Sequence, residues 1–378
     1  IERISRCYRD LCSRLKNGCW GDEDNTPGQQ AIFCPACPQL GINVTSKTWN
    51  AATDPDWLLS PLLVADGNFK FDHLQLKNPQ SDVILRDGTG FLVTTSTYEN
   101  HLDVTSGTQE KSNCANHKAV NQASRPRKHV DNTGIGAITY ARHGFFVPHS
   151  IVNFEKGEQQ KNMDFALSEA MKFFTSLKKE PLQPAITVIY DVMCQYGVHL
   201  EQHLEDGPFL EKPTMPIQKA IGKFHLGAHI DSCFSTFSLN FLRSAGHTDG
   251  EVLETLWAPL NKITGSTRSM TLAHQQEVLD DCVYDSNWKK ITNLSMLSTL
   301  IVMDIIKRFH VSVPSLIKKW KRAKTSFANM KEAYEDLRCR LTEDDLESWN
   351  SQAEQASLLH GKALEIYDVK TEQSKFLK

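Results

Sequence analysis

Two short apolar runs, each closed by an aspartate, limit what this chain can fold into. The first lies in "LLSPLLVADGNFKFDHLQLK", Leu58 to Lys77, and stops at Asp66; the second, Ile186 to Tyr190 in "PAITVIYDVMCQ", stops at Asp191. Runs that are apolar on both sides are what the central strands of a covered sheet show. Between them, "NMDFALSEAMKFFTSLKKE" places Phe165, Leu167, Ala170, Met171, Phe174 and Leu177 at helical spacing, with Lys178 and Lys179 where cations suit the end of a helix. A crossover helix of this kind lets the second strand lie beside the first, and both aspartates then reach one sheet edge, where ligands of open α/β sheets gather. Asp66 also has a plainer reading. Gly67–Asn68 is a hairpin signal, so Asp66 is equally the first corner of a turn, with Phe69, Phe71, Leu74 and Leu76 on the returning strand.

The rest of the chain arranges itself around these runs. Residues 1–50 hold Cys7, Cys12, Cys19, Cys34 and Cys37 and read as an irregular, Cys-rich segment. Residues 78–130 are polar and turn-rich, and read as an insertion rather than part of the core. "TGIGAITYARHGFFVPHSIVNF" regains strand character on both sides of the turn Arg142–Gly144, and from about Lys219 onward the pattern is helical. The expectation is a mixed α/β sheet flanked by helices over 51–265, carrying an insertion at about 78–130, with a helical C-terminal extension over 266–378.

Composition removes several classes. The 378 residues carry a net charge of −3, so no global basic field advertises nucleic acid, and the patches "RPRKH" and "KRFHVSVPSLIKKWKRAK" are short. No run approaches the ~20 apolar residues that span a bilayer, so no membrane partner is expected. The start, "IERISRCYRDLCSRL", is neither a signal peptide nor an initiator-methionine start, and a beginning inside a longer protein is expected. Ten cysteines without a secretory signal suit reduced thiols, some available to metal.

Two carboxylates close together repel unless a divalent cation neutralises them, and a hard ion such as Mg²⁺ suits that oxygen environment. Two such ions would stabilise the attacking and leaving oxygens of a phosphoryl displacement. A third acid is available in "HTDGEVLETLWAPLN", where Thr248 or Asp249 caps a helix and Glu251 and Glu254 project three residues apart on one face; spacing does not choose between them. Leu253, Leu256, Trp257 and Leu260 on the same segment read as core packing.

Cysteine and histidine clusters suggest a second metal. Cys34 and Cys37 form a CxxC and Cys114 and His117 a CxxH, together enough for a Cys₃His zinc site, though free thiols explain them as well. "HLGAHIDSC" spaces His225, His229 and Cys233 four apart, on one face if the segment is helical. That face suits either zinc or internal bracing, and Cys194 reads as a small buried hydrophobe.

Taken together, "CPACPQLGIN", "ADGNFKFDHLQLK", "DGTGFLVTTSTYENHL", "GIGAITYARHG", "KGEQQKNMDFAL", "YDVMCQYGVHL", "KFHLGAHIDSC", "DGEVLETLWAPLN" and "TRSMTLAHQQEVLDDCVYDSNWKKI" resemble the KDZ (Kyakuja–Dileera–Zisupton) transposases common in fungal genomes, from about Phe33 to Ile291. The resemblance implies an RNase H-like core and a DDE triad: Asp66, Asp191 and Glu251, with Glu254 as competitor for the third place. It further implies Mg²⁺- or Mn²⁺-dependent cleavage of transposon ends and strand transfer to target DNA, homo-oligomers, and work in the nucleus. One departure is Tyr140, where the family usually has Cys before "ARHG". That residue, with the odd start and the end at "TEQSKFLK", favours the alternative of a truncated, silent remnant that binds DNA or protein. A cellular RNase H-type nuclease shares the carboxylate chemistry but not the Cys-rich leader.

Overall fold

The computed structural model describes residues 2–19, 26–39, 43–44, 50, 58–78, 81–105, 129–175, 185–242, 245–295 and 305–358. Two compact units emerge, Ile1–Trp288 and Lys289–Lys378. The first is built on five strands: β1 (Leu62–Asn68), β4 (Gly134–Tyr140), β5 (Val152–Phe154), β6 (Ile186–Tyr190) and β7 (Ile217–Ala220). Their order is β5-β4-β1-β6-β7. β4 lies antiparallel to both β1 and β5, while β1, β6 and β7 run parallel. This is the mixed, RNase H-like sheet expected. Both apolar runs are central strands: Leu62, Leu63, Val64 and Ala65 are buried, as are all five residues of β6.

Helix α3 (Gln160–Thr175) supplies the crossover and buries Phe165, Leu167, Ala170 and Met171 against the sheet, while Lys178 and Lys179 lie outside the described residues. After β6 come α4 (Met193–Tyr196) and α5 (Leu200–Asp206); beyond β7, α6 (Lys223–Leu226), α7 (Asp231–Phe237), α8 (Val252–Leu260) and α9 (Thr264–Thr267) follow one another, and α8 packs on β1. The stripe Leu253, Leu256, Trp257 and Leu260 is core, as its spacing implies.

Four expectations change. There is no hairpin at Gly67–Asn68: both residues lie inside β1, whose antiparallel partner is β4 with Gly67 opposite Gly136. The short strand β2 (His73–Leu74) pairs instead with β3 (Val130–Asn132). Glycine stands at 67 because of a close approach rather than a turn, since a Cβ there would come 2.6 Å from the Glu158 carboxylate and 2.9 Å from the Phe154 ring. Second, the stretch read as an insertion buries Phe91, Leu92 and Val93, and its helix α2 (Thr95–Val104) buries Tyr98 and Leu102; residues 106–128 lie outside the described residues. Third, β7 (Ile217–Ala220) adds a strand just where an almost wholly helical pattern was expected to begin.

Fourth, the leader is not irregular throughout. Residues Glu2–Asn17 form α1, which turns its polar side inward. The Arg6 guanidinium makes two bonds to Glu277 of α10 (Leu272–Ser295), at 2.9 and 2.8 Å, and Arg86 pairs with Asp281 at 2.9 Å. Ile4, Tyr8, Leu11 and Leu15 face outward. In the second unit, α11 (Ile305–Arg338) and α12 (Glu343–Leu358) give the helical extension its expected character, with Trp320, Phe327, Met330, Tyr334 and Leu337 exposed along α11.

Candidate active site and metal centres

The parallel register fixes the first two acids. Ala65 lies opposite Tyr190, so one residue further on Asp66 and Asp191 are level on neighbouring strands. Asp66 accepts a hydrogen bond from the Trp257 indole Nε1–H at 2.7 Å, which ties the end of β1 to α8. Burial, followed by the charges of Asp191 and Glu254, pushes the Asp66 carboxyl up to about 7 against the pull of that hydrogen bond. The largest charges acting on Asp66 are thus other carboxylates.

The two glutamates on either side of the α8 start differ. Glu251 occupies the N-cap position, in place of Thr248 or Asp249, and its own N–H donates to Asp249 Oδ1 at 3.1 Å in the turn before the helix. The Glu251 carboxylate accepts the Phe224 backbone N–H at 2.9 Å and lies against Gly222, which braces the start of α6. Glu254 stands in the first turn of α8, half exposed, and its charge reaches Asp66. His225 Nε2 sits 3.0 Å from Glu254 and 3.3 Å from Glu251. Burial lowers the His225 imidazole, but Glu254, Glu251 and Asp191 outweigh it and leave it raised.

A fourth carboxylate was missed from the sequence. Glu158, in the loop before α3, accepts a hydrogen bond from Tyr190 Oη, and burial together with Asp191 raises it to about 8. "KGEQQKN" reads as a polar loop, and only the fold shows that it passes over Gly67 beside Asp66.

The string His225, His229, Cys233 is not one helical face. Helix α6 ends at Leu226 and α7 begins at Asp231, with Gly227 closing the first. His225 therefore joins Glu251 and Glu254, while His229 and Cys233 meet Cys194, read from sequence as a mere hydrophobe. Cys194 Sγ lies 3.4 Å from His229 Nδ1. At the other cluster, Cys34 and Cys37 meet His143; the expected partners Cys114 and His117 lie outside the described residues. The hydrogen bond from Cys37, with His143 adding to it, brings the Cys34 thiol down to about 5 despite its burial, and the same pairing with burial pushes Cys37 up. Both three-ligand groups have the soft donors zinc prefers. Arg268 pairs with Asp72 at 2.8 Å.

Residues 59–287 match the family model of the Kyakuja-Dileera-Zisupton (KDZ) transposases. The chain belongs to the KDZ transposase family. That span takes in Asp66, Asp191, Glu251, Glu254 and His143 and leaves Cys34 and Cys37 outside it. Membership of a transposase family implies DNA as the partner and DDE-type nucleotidyl transfer as the class of chemistry. Comparisons with curated proteins and with solved structures each gave no match. Across the described residues of this KDZ chain, no helix is long and apolar enough to cross a membrane.

Proposed function

We propose that this KDZ chain is a metal-dependent DNA transposase whose acid triad is Asp66, Asp191 and Glu254, cutting transposon ends and transferring the freed 3′-hydroxyl to target DNA. One observation carries the reading: Asp66 and Asp191 are level on adjacent parallel strands, and the charge of Glu254 from α8 reaches the same carboxyl. Glu251 is the lesser candidate for third acid because its carboxylate is engaged with Phe224 and Gly222.

The donor set fits a hard divalent cation, since carboxylate oxygens dominate it and burial makes their mutual repulsion costly. Mg²⁺ or Mn²⁺ bound there would polarise the scissile phosphate and activate the attacking oxygen. The chain's own residues do the positioning. Trp257 fixes one Asp66 oxygen, and His225 steadies Glu254. Kinship with fungal members, action as a homo-oligomer and work in the nucleus belong to the same proposal.

The test is nicking of supercoiled plasmid DNA by the full chain in Mg²⁺ or Mn²⁺, comparing the parent with Asp191→Asn. Loss of nicking with DNA binding retained in a mobility-shift assay supports the triad. Equal nicking by both proteins refutes it, and binding without nicking by either would leave the silent, DNA-binding remnant as the better description.

A further inference from the structure

We propose, resting on the acid centre as the site of DNA cleavage, that Phe224 is a stacking platform for an unpaired nucleobase next to the phosphate held there. Phe224 is 83% exposed, more than any other large hydrophobic side chain among the described residues. A lone apolar side chain in solvent is ordinary on a protein surface. What sets this one apart is where it stands and how firmly its backbone is held.

The ring is carried by α6, a single turn set between Gly222 and Gly227. β7 runs parallel to β6 with Ala220 opposite Ile189, so the chain leaves β7 at the same sheet edge where β6 delivers Asp191. The Lys223 N–H donates to the Asp249 carbonyl at 2.8 Å and the Phe224 N–H to Glu251 Oε1 at 2.9 Å, which clamps the turn to the start of α8. The Leu226 N–H closes it on the Gly222 carbonyl at 2.9 Å. A Cβ at Gly222 would run into the Glu251 carboxylate, so the turn seats this closely only with glycine there. The next residue, His225, places Nε2 3.0 Å from Glu254. Its ring lies edge-on to that of Phe224, with centroids 5.7 Å apart at 89°. The exposed ring is thus one residue from the side chain that bonds the proposed third acid.

The chemistry of the ring selects the ligand. Phenylalanine offers a flat π face and no hydrogen-bonding group, so it reads no base edge and accepts any base. Inside a duplex both faces of a base are covered by its neighbours, and uncovering one costs unstacking energy that is least where the strand is already single. DNA drawn to the acid centre by its phosphate brings the adjoining base within reach of an aromatic at the rim. The placement therefore fits a strand that is single or frayed at the reacting position, gripped without regard to its sequence.

The experiment uses the full chain in Ca²⁺ and two fluorescent oligonucleotides, a blunt duplex and the same duplex extended by a short 3′ overhang. In fluorescence anisotropy the parent should bind the overhang DNA at least about fivefold more tightly than the blunt DNA. Phe224→Ala should lose about 5- to 100-fold on the overhang DNA and change the blunt-duplex affinity by less than about twofold. Phe224→Trp should keep the preference, and Tyr8→Ala, which removes another exposed ring, should match the parent. With 5-iodouracil at the first unpaired position, ultraviolet crosslinking followed by peptide mass spectrometry should mark Phe224. Since the ring is exposed, Phe224→Ala should melt with the parent, so lost binding is not lost folding. A parent without the preference, a Phe224→Ala that keeps it, or crosslinks that fall only on other residues overturns the proposal. Neither assay requires cleavage, whereas failure of the triad shows as nicking retained in Asp191→Asn, so the two readings fall separately.

Discussion

Replacing Asp66 by asparagine removes one charge from the acid cluster but keeps an oxygen for the Trp257 indole N–H. The Asp66 carboxyl is held up to about 7 in the folded chain, against roughly 3.9 when unfolded. A carboxyl raised in this way supports folding below its unfolded value, and the contribution is lost as pH rises from about 4 through about 7. At pH 8 the folded chain therefore carries ionised Asp66 at a cost whose ceiling is on the order of 4 kcal/mol. Residual solvent contact at Asp66 screens this, and about 2 kcal/mol is the better expectation. Asp66→Asn, in metal-free buffer at pH 8, should then melt above the parent by about 4–8 °C. The gap should narrow as pH is lowered toward 4. Millimolar Mn²⁺ at pH 8 should raise the melting temperature of the parent and have much less effect on the variant. Calorimetry or a dye-based melt reads all of these. A variant that melts below the parent at pH 8 without metal, or a gap that ignores pH, would refute the claim that burial, with the neighbouring carboxylates, makes an ionised Asp66 costly.

Three further outcomes follow from the geometry. Trp257→Phe deletes a hydrogen bond to a charged group and should cost about 1.5–3 kcal/mol in a urea melt at pH 8, with part of the loss recovered in the Asp66→Asn background. Gly67→Ala drives a methyl into the Glu158 carboxylate and the Phe154 ring and should destabilise by about 1–3 kcal/mol; a neutral melt would show that the loop over β1 yields easily. Arg6→Ala strands the buried Glu277 and should cost about 3–5 kcal/mol, whereas the paired change Arg6→Met with Glu277→Leu should cost far less, both read by chemical denaturation.

Much of this architecture could be read from local pattern. β-branched Ile186 to Tyr190 and the helical period from Phe165 to Phe174 specified a strand and its crossover, and those two elements bring Asp191 beside Asp66. What failed was long-range or carried an ambiguous local signal. Gly67–Asn68 has turn chemistry, yet the glycine answers to Glu158, nearly a hundred positions away in the chain, and the asparagine to Asn261, which accepts its Nδ2–H at 2.9 Å. β7 reads "IQKA", too short and polar for a periodicity to show, because a strand at the sheet edge needs less apolar surface. The fourfold spacing of His225, His229 and Cys233 implied a shared face only while the helix was assumed continuous, and the break after Leu226 undid it. His143 gave no sign, since "RHG" is fully accounted for as a turn.

The acids of the proposed centre are not held with equal stiffness. Asp66 and Asp191 each follow the last paired residue of strands locked in register by the backbone ladder, Leu63 opposite Val188 and Val64 opposite Ile189, so the sheet sets their separation. Glu254 comes from a helix outside that ladder, its side chain half exposed and its neighbour His225 on a single helical turn. Any adjustment to an ion of different radius, or to a substrate strand entering the cleft, must be absorbed on the glutamate side. The pair of aspartates is a fixed jaw, and the half-exposed Glu254 side chain is the adjustable one.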